Sequence, residues 1–171
     1  MSFKVGEKIV YPNHGVTVIE NIGISDIAGL DNTFLHLRLL SNNSRLMVPV
    51  GNSDRVGLRP LYRQSQIKGL FSLLEECPSH AARDWKDRYR DNMEKMKSGK
   101  LEDVADVLKN LTQVSKRKSL SFREKKMYER AKHLLVSEIA VVKGIEEKEA
   151  EALIEKCLDK SLGGIVAASG H

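Results

Sequence analysis

The period of the hydrophobic pattern changes near Pro60, and this change limits the possible folds more than any other feature of the sequence. Before Pro60, apolar and polar residues alternate in short runs such as residues 34–39, and turn-forming residues such as 12–15 separate the runs. After it, apolar residues recur at steps of three and four. We therefore predict a two-domain α+β protein, with a small β domain over residues 1–59 and an all-α domain of about five helices over residues 60–171.

The β domain is predicted to be a small, strongly bent barrel of the SH3 or Tudor type, because several short strands fall within its length. Its run at residues 45–50 contains Pro49, which cannot donate a ladder hydrogen bond, and this places the strand at a sheet edge. Arg45 and Met47 should share the face opposite the apolar residues of this strand. An edge strand can accept a strand from another protein, whereas Pro49 can also serve to prevent such pairing; both interpretations stay open.

The helical domain is predicted from five apolar stripes. These are Ile67–Leu74, then Trp85, Tyr89, Met93 and Met96, then Leu101–Leu111, Met127–Val142, and finally Leu153, Ile154, Cys157 and Leu158. Cys77-Pro78 and Gly99 end the first two helices. Ser121 and Glu124 form a capping box at the start of the fourth helix, which ends at Gly144. The small residues from Ser161 onward are expected to fray.

The chain's single tryptophan, Trp85, lies in a locally basic segment, residues 83–100, with seven basic and four acidic side chains. It falls in the first turn of its helix, where backbone N–H groups lack intrahelical partners. The residues alone leave two interpretations open: Trp85 anchors the core, or its ring contacts nucleic acid among basic side chains. The candidate DNA contacts of this segment are Trp85, Arg83, Lys86, Arg88 and Arg90.

A second basic cluster spans residues 109–132, with nine basic residues and two glutamates, in a chain of net charge +5. One charge run is ordinarily a solvated face. Two separate clusters in one helical domain are better explained by a surface that binds phosphates. The candidate DNA contacts here are Lys109, Lys118, Lys125 and Lys126.

Nothing in the sequence indicates an enzyme. The histidines are scattered, no nucleotide-binding or nucleophile motif is present, and Cys77 and Cys157 are far apart without a CxxC pair. No stretch is apolar enough for a membrane span, and the N-terminus lacks an apolar leader segment. We expect a cytoplasmic protein without a metal, a cofactor or a small-molecule substrate.

Three sequence blocks resemble the CarD/CdnL family of bacterial transcription factors. The first, residues 3–16 (FKVGEKIVYPNHGV), is similar to the opening signature of the family. The second is Asp84-Trp85 with Arg88-Tyr89 and the residues up to Gly99, and the third is Leu120-Ser121 with residues 124–127. Together they cover nearly the whole chain. The first block is shared with the polymerase-interacting module of transcription-repair coupling factors, which are long ATP-driven translocases, whereas this chain has no Walker motif.

This resemblance implies a Tudor-like domain that binds the β subunit of RNA polymerase by strand addition, and a helical domain that contacts promoter DNA. It implies that Trp85 wedges into the minor groove at the upstream edge of the transcription bubble and so stabilises the open promoter complex. The protein would then be associated with the nucleoid through polymerase. An alternative is an adaptor that does not bind DNA and bridges polymerase to another protein.

Some relatives place arginines at the positions of Ser25 and Met47, where they contact polymerase, and this sequence has neither arginine. Arg45 shares the predicted face of Met47 and is a possible substitute. We therefore predict the polymerase contact for the strand as a whole and not for any single side chain. The predicted polymerase-binding residues are Arg45, Leu46, Met47, Val48 and Pro49.

Overall fold

A computed structural model of the chain describes residues 2–25, 32–76 and 84–169; the side chains of residues 25, 32, 85 and 163–169 lie outside the description. The chain divides into two compact units, Met1–Leu61 and Tyr62–His171. The first contains strands β1 (Lys8–Tyr11), β2 (Gly15–Ser25), β3 (Asn32–Leu39) and β4 (Arg45–Pro49), a 3₁₀ turn (Val50–Asn52), helix α1 (Ser53–Val56) and strand β5 (Arg59–Pro60). The second contains helices α2 (Gln64–Glu75), α3 (Trp85–Lys97), α4 (Leu101–Arg117), α5 (Phe122–Lys143) and α6 (Glu147–Ser169). The predicted α+β class, a small sheet followed by five helices, is confirmed.

The strands form one antiparallel sheet in the order β4-β3-β2-β1-β5. Residues 12–14 turn the chain between β1 and β2, and there Asn13 has φ 63° and Gly15 has φ 113°. Asparagine and glycine tolerate this left-handed backbone better than other residues, which explains why the turn falls here. The first hairpin is thus predicted correctly by its turn chemistry.

A β-bulge at Glu20 keeps the apolar side chains of β2 on one face. The register pairs Ile19 with Leu37 and resumes at Asn21, so Glu20 is an additional residue in β2. Ile19 and Ile22 are three residues apart, and this odd spacing would place them on opposite faces of a regular strand. The bulge allows both side chains to pack on the core of the sheet.

Each unit has its own hydrophobic core. The core of the first unit is formed by Ile9, Ile19, Leu35, Leu37, Val48 and Leu58. The core of the second combines residues of all five helices, and its largest fully buried side chains are Ile67, Leu70, Leu74, Leu108, Leu111, Leu135, Ile139 and Ile154. None of the described helices combines the length and apolar content that crossing a membrane requires.

The helix ends agree with the predicted signals where the structure describes them. Helix α2 ends at Glu75, just before Cys77-Pro78, and these two residues lie outside the described part of the chain. Helix α3 ends ahead of Gly99, which has φ 79°. Helix α5 ends at Gly144, which has φ 66° and donates its N–H to the carbonyl of Ala140.

The predicted stripe of α6 is wrong at one position. Leu153 is 38% exposed, and Ala150 takes its place beside Ile154 on the buried face. Adjacent helical residues point about 100° apart. Leu153 therefore points away from the buried face on which Ile154 lies. The helix extends to Ser169, and at the start of the tail the buried hydroxyl of Ser161 donates to the carbonyl of Leu158 at 2.7 Å. Fraying of the residues beyond it stays a prediction.

Candidate functional site

Strand β4 lies at one edge of the sheet, which confirms the prediction made from Pro49. The opposite edge is β5, and it has two residues against five in β4. A short edge offers few backbone groups to another chain. Strand β4 is therefore the edge with room for a partner strand.

Alternate residues of β4 bond to β3. The N–H of Leu39 donates to the carbonyl of Ser44 at 2.8 Å, which makes these residues a hydrogen-bonded pair of the β3–β4 hairpin. Bonded and non-bonded pairs alternate along an antiparallel ladder, so Leu46 and Val48 occupy the next bonded positions. Their side chains also pack on the core, and Val48 is 3% exposed. Both residues therefore hold β4 in place and offer little to a partner.

Arg45, Met47 and Pro49 occupy the non-bonded positions, so their backbone groups point away from β3. Pro49 lacks an N–H, and the missing donor falls on the outer side, where no ladder bond of this sheet is lost. Met47 is 44% exposed. The outer side of β4 thus carries backbone donors and acceptors together with exposed side chains.

A charged cluster covers the sheet face beside β4. Arg38 donates its Nε–H to Glu20 Oε1 at 2.6 Å, and Arg45 Nε lies 3.7 Å from Glu20 Oε2. The Arg45 side chain is 81% exposed. An exposed pair at this distance stabilises the fold little, so Arg45 is able to turn towards an acidic group on a partner.

Helix α3 begins at Trp85, as the stripe predicts. Asp84 is its N-cap, and the Asp84 Oδ1 accepts the N–H of Lys86 at 3.2 Å. The backbone of Trp85 is therefore fixed in the first turn, while its side chain and the whole of Arg83 lie outside the described residues. Lys86 is exposed, and so is Arg90, which pairs with Asp87 at 3.1 Å.

The prediction that Arg88 contacts DNA is wrong, because Arg88 is 6% exposed. Its Nε–H and Nη2–H donate to Glu124 Oε2 at 3.1 and 3.0 Å. Glu124 is itself 3% exposed, and its other oxygen accepts from the Ser121 hydroxyl at 3.2 Å. This buried ion pair joins the start of α3 to the capping box of α5. The pair thus links the first turns of the two helices, while α3 packs chiefly against α4.

The buried face of α3 is rotated about the helix axis relative to the predicted stripe, by about the angle between adjacent residues. Arg88, Asn92 and Met96 are buried, whereas Tyr89 and Met93 are only partly buried at its border. Asn92 Nδ2 donates to Asn110 Oδ1 on α4 at 3.1 Å. Polar partners on neighbouring helices thus allow polar residues to occupy this face.

The prediction that Lys109 contacts DNA is also wrong, because Lys109 is 5% exposed. Its Nζ donates to the carbonyl of Leu73 at 2.8 Å, in the last turn of α2. Carbonyls at a helix C-terminus lack intrahelical partners, and a cation stabilises them there. Lys109 therefore caps α2 and is part of the packing.

Lys118, Lys125 and Lys126 are exposed, and they lie in a continuous basic segment. We define the basic surface as the exposed side chains of Lys116, Arg117, Lys118, Arg123, Lys125 and Lys126. The only carboxylate within residues 116–126 is Glu124, which is buried against Arg88. Glu129, which is exposed one helical turn after Lys125 and Lys126, lies at the border of the basic surface, so the surface is strongly but not exclusively positive.

Lys132, at the end of the predicted basic cluster, does not extend the basic surface. Its Nζ lies 2.7 Å from Glu151 and 3.0 Å from Glu155 on α6. Burial acts to lower the pKa of Lys132, but the hydrogen bonds to Glu151 and Glu155 outweigh burial and raise the pKa above the ordinary lysine value. The positive charge of Lys132 is thus balanced by the two glutamates on α6.

Phe122 is a surface aromatic residue that the sequence reasoning missed. It is the first residue of α5 and is 71% exposed, and Lys126 Nζ lies 4.5 Å from the centre of its ring. Its position five residues before Met127 places it about 140° from the buried stripe, and this spacing was a usable signal. Among the described residues no cluster of side chains could hold a metal ion.

Comparison with known proteins matches the chain to two family models and to a curated relative. Residues 3–62 match the "CarD-like/TRCF RID domain" model, and residues 69–155 match the model of "CarD, C-terminal domain". The chain is 31% identical over 150 residues to "Putative transcription factor YdeB" of Bacillus subtilis (strain 168). That alignment covers 88% of this chain and 98% of the relative.

The Arg88–Glu124 pair predicts a large difference between two neighbouring arginines. Arg88→Met should lower the free energy of unfolding by about 3–5 kcal/mol, because it leaves the Glu124 carboxylate buried and unpaired. Arg90→Met, the matched control, removes an exposed pair and should cost less than about 1 kcal/mol. Urea unfolding of both variants measures the difference, and equal losses would contradict the structural role of Arg88.

Proposed function

The chain belongs to the CarD family of transcription regulators, and from this premise we propose that it binds the RNA polymerase β subunit through β4 and stabilises the open promoter complex through its helical unit. It acts as a regulator and not as an enzyme. Its partners are the polymerase holoenzyme and promoter DNA, and its place of action is the cytoplasm, where the polymerase works. The observation that carries the proposal is the outer side of β4, whose backbone groups point away from β3 next to an exposed Arg45.

Strand addition is the form of polymerase contact that this edge supports. Added strands gain affinity from backbone hydrogen bonds and specificity from side chains at alternate positions. Met47 supplies an outward N–H and carbonyl at the centre of β4, and Arg45 supplies a cation at its start. This explains how the contact can form although Ser25 and Met47 stand where some relatives have arginines. The backbone carries the contact, and Arg45 adds charge.

The strand-addition proposal predicts opposite results for two substitutions at one position. Met47→Pro removes the outward N–H and should weaken binding to isolated β subunit by about tenfold or more, since one hydrogen bond and the close approach of the strand are lost. Met47→Ala keeps the N–H and should lose much less. Binding by calorimetry and thermal unfolding should be measured for both.

The proposal fails if Met47→Pro, shown to be folded, binds β as tightly as the natural chain. Arg45→Pro is a second test of the same kind, because the N–H of Arg45 also points outward. Leu46→Pro is the negative control: it breaks a bond to β3 and should destabilise the sheet whether or not β4 binds polymerase.

The helical unit supports a contact with promoter DNA through two adjoining features. The basic surface offers six exposed cations, and its nearest exposed carboxylate in the chain is the single Glu129. Cations that neutralise phosphates supply most of the non-specific affinity for DNA. Helix α3 begins with Trp85 beside the start of α5, because the Arg88–Glu124 pair holds the two together. A tryptophan and a phosphate-binding surface are thus carried by the same end of the unit.

Stabilisation of the open complex requires that the protein binds melted DNA better than closed duplex. An aromatic ring wedged at a partly unstacked base step meets this requirement, because the base faces are accessible only after melting. Stacking on one base is worth about 1–3 kcal/mol, which shifts the ratio of open to closed complex roughly 5- to 150-fold. We assign this ring to Trp85.

Trp85→Ala tests the assignment because the two roles of tryptophan give different results. If the ring is a wedge, the variant should stay folded and bind β normally while the lifetime of the open complex falls at least about fivefold. If the ring is a core anchor, truncation should cost about 3–5 kcal/mol of stability. Trp85→Phe should recover part of the lifetime. A stable variant with an unchanged lifetime would remove Trp85 from the mechanism.

The basic surface predicts a change in salt dependence. Lys125→Glu with Lys126→Glu should weaken promoter association and flatten its dependence on salt, because each phosphate contact contributes about 0.7–0.9 to the slope of log K against log salt. Lys132→Gln is the control: it removes a lysine that pairs with glutamates and should leave the slope unchanged. An unaltered slope in the double variant would reduce this surface to a solubilising role.

A further inference from the structure

We infer that Phe122 is a second aromatic contact of this protein with nucleic acid, and that it stacks on an unpaired base while the basic surface holds the adjoining phosphates. The inference rests on the proposed contact between the helical unit and promoter DNA. It adds a residue, on a different helix from Trp85, to which neither the family models nor the relative assigns a role.

The exposure of Phe122 is the first observation. Its side chain is 71% exposed, although aromatic residues contribute much to cores and interfaces when they are buried. Among the described residues only Ile24 is a more exposed large hydrophobic side chain, and it lies in the sheet. Within the described helices Phe122 therefore stands out as the aromatic ring offered to solvent.

The charge around Phe122 is the second observation and identifies the class of partner. Lys126 Nζ lies over the ring at 4.5 Å, and the other cations of the basic surface precede and follow Phe122 in the chain. Of the two nearby carboxylates on α5, Glu124 is buried and Glu129 is exposed, so the cations around the ring outnumber the exposed carboxylate. An apolar partner would have to desolvate these cations, whereas a nucleic acid supplies phosphates for them and base faces for the ring.

The position of Phe122 is the third observation. Phe122 is two residues before Glu124, and Trp85 is three residues before Arg88, so both aromatic residues lie within one helical turn of the buried ion pair. The two helix starts thus carry an aromatic residue each at the same end of the unit. At the edge of a melted bubble one ring can enter the duplex junction while the other meets an unpaired base, since bases expose their faces only where they are unstacked.

The test measures binding of the full chain to a forked DNA fragment, which is a duplex with an unpaired extension, and to the blunt duplex, by fluorescence anisotropy across a salt series. Phe122→Leu should lose at least about fivefold in affinity for the forked fragment, lose little for the blunt duplex, and keep the salt slope because no charge is removed. Phe122→Trp should bind the forked fragment at least as well as the natural chain. Lys126→Gln should lower the slope by about 0.7–0.9.

Stability does not confuse the result, because an exposed residue at the first helical position can be replaced by leucine, a good helix former, at little cost. The inference is overturned if the leucine variant binds the forked fragment like the natural chain, or if the natural chain does not bind it. It is also overturned if Phe122→Leu weakens only the binding of polymerase without DNA, which would assign the ring to an acidic protein surface.

Repeating the leucine substitution in a Trp85→Ala background separates this inference from the proposed function. A further loss on the forked fragment supports Phe122 as an independent contact, even if Trp85→Ala leaves the open-complex lifetime unchanged and the proposed wedge fails. The absence of a further loss, together with a shortened lifetime for Trp85→Ala alone, overturns the role of Phe122 and leaves the wedge in place.

Discussion

The buried ion pair between Arg88 and Glu124 determines how the helical unit presents its surface. Two charges removed from water are costly, and they are tolerated because the guanidinium gives two hydrogen bonds to one carboxylate oxygen while Ser121 satisfies the other. A pair that is stable only in this geometry limits the distance between the first turns of α3 and α5. The first turn of α3, with Trp85, and the first turn of α5, with Phe122, are consequently held together.

The same pair also shapes the electrostatics of the surface. Glu124 is the single acidic residue within residues 116–126, and it is paired with Arg88 inside the fold. The cations around it therefore face solvent, and the nearest exposed carboxylate in the chain is Glu129. Residues 116–126 contain charges of both signs, but their exposed charged side chains are all basic. A surface of this kind is suited to phosphates.

The sheet unit depends on a different constraint, which is the alternation of an antiparallel ladder. Leu46 and Val48 bond to β3 and fill the core, so the residues between them direct their backbone outward. Pro49 falls on an outward position, where its missing N–H does not weaken the sheet. Pro49 ends the stretch of β4 that can pair with another strand. Met47 is therefore the central position of that edge.

Much of this arrangement could be predicted from the sequence. Periodicity gave the class and the helices, and the proline gave the edge strand, because both signals are local. The assignments of Arg88 and Lys109 to the DNA-contacting surface are wrong because a cluster of charges along the chain does not indicate which face of a helix each side chain occupies. Lys109 follows Ala105 by four residues and so shares its buried face. The partners that make these burials possible, Glu124 and the carbonyl of Leu73, are each 36 residues away in the chain, and no local pattern reveals them.

The most direct test of the account is a hydroxyl-radical footprint of the open promoter complex formed by polymerase holoenzyme with and without this protein. The account predicts additional protection confined to the duplex immediately upstream of the melted bubble, where the helical unit and its aromatic residues would lie. A footprint that does not change although the protein is bound to the polymerase would contradict the account and leave an adaptor that works without touching DNA.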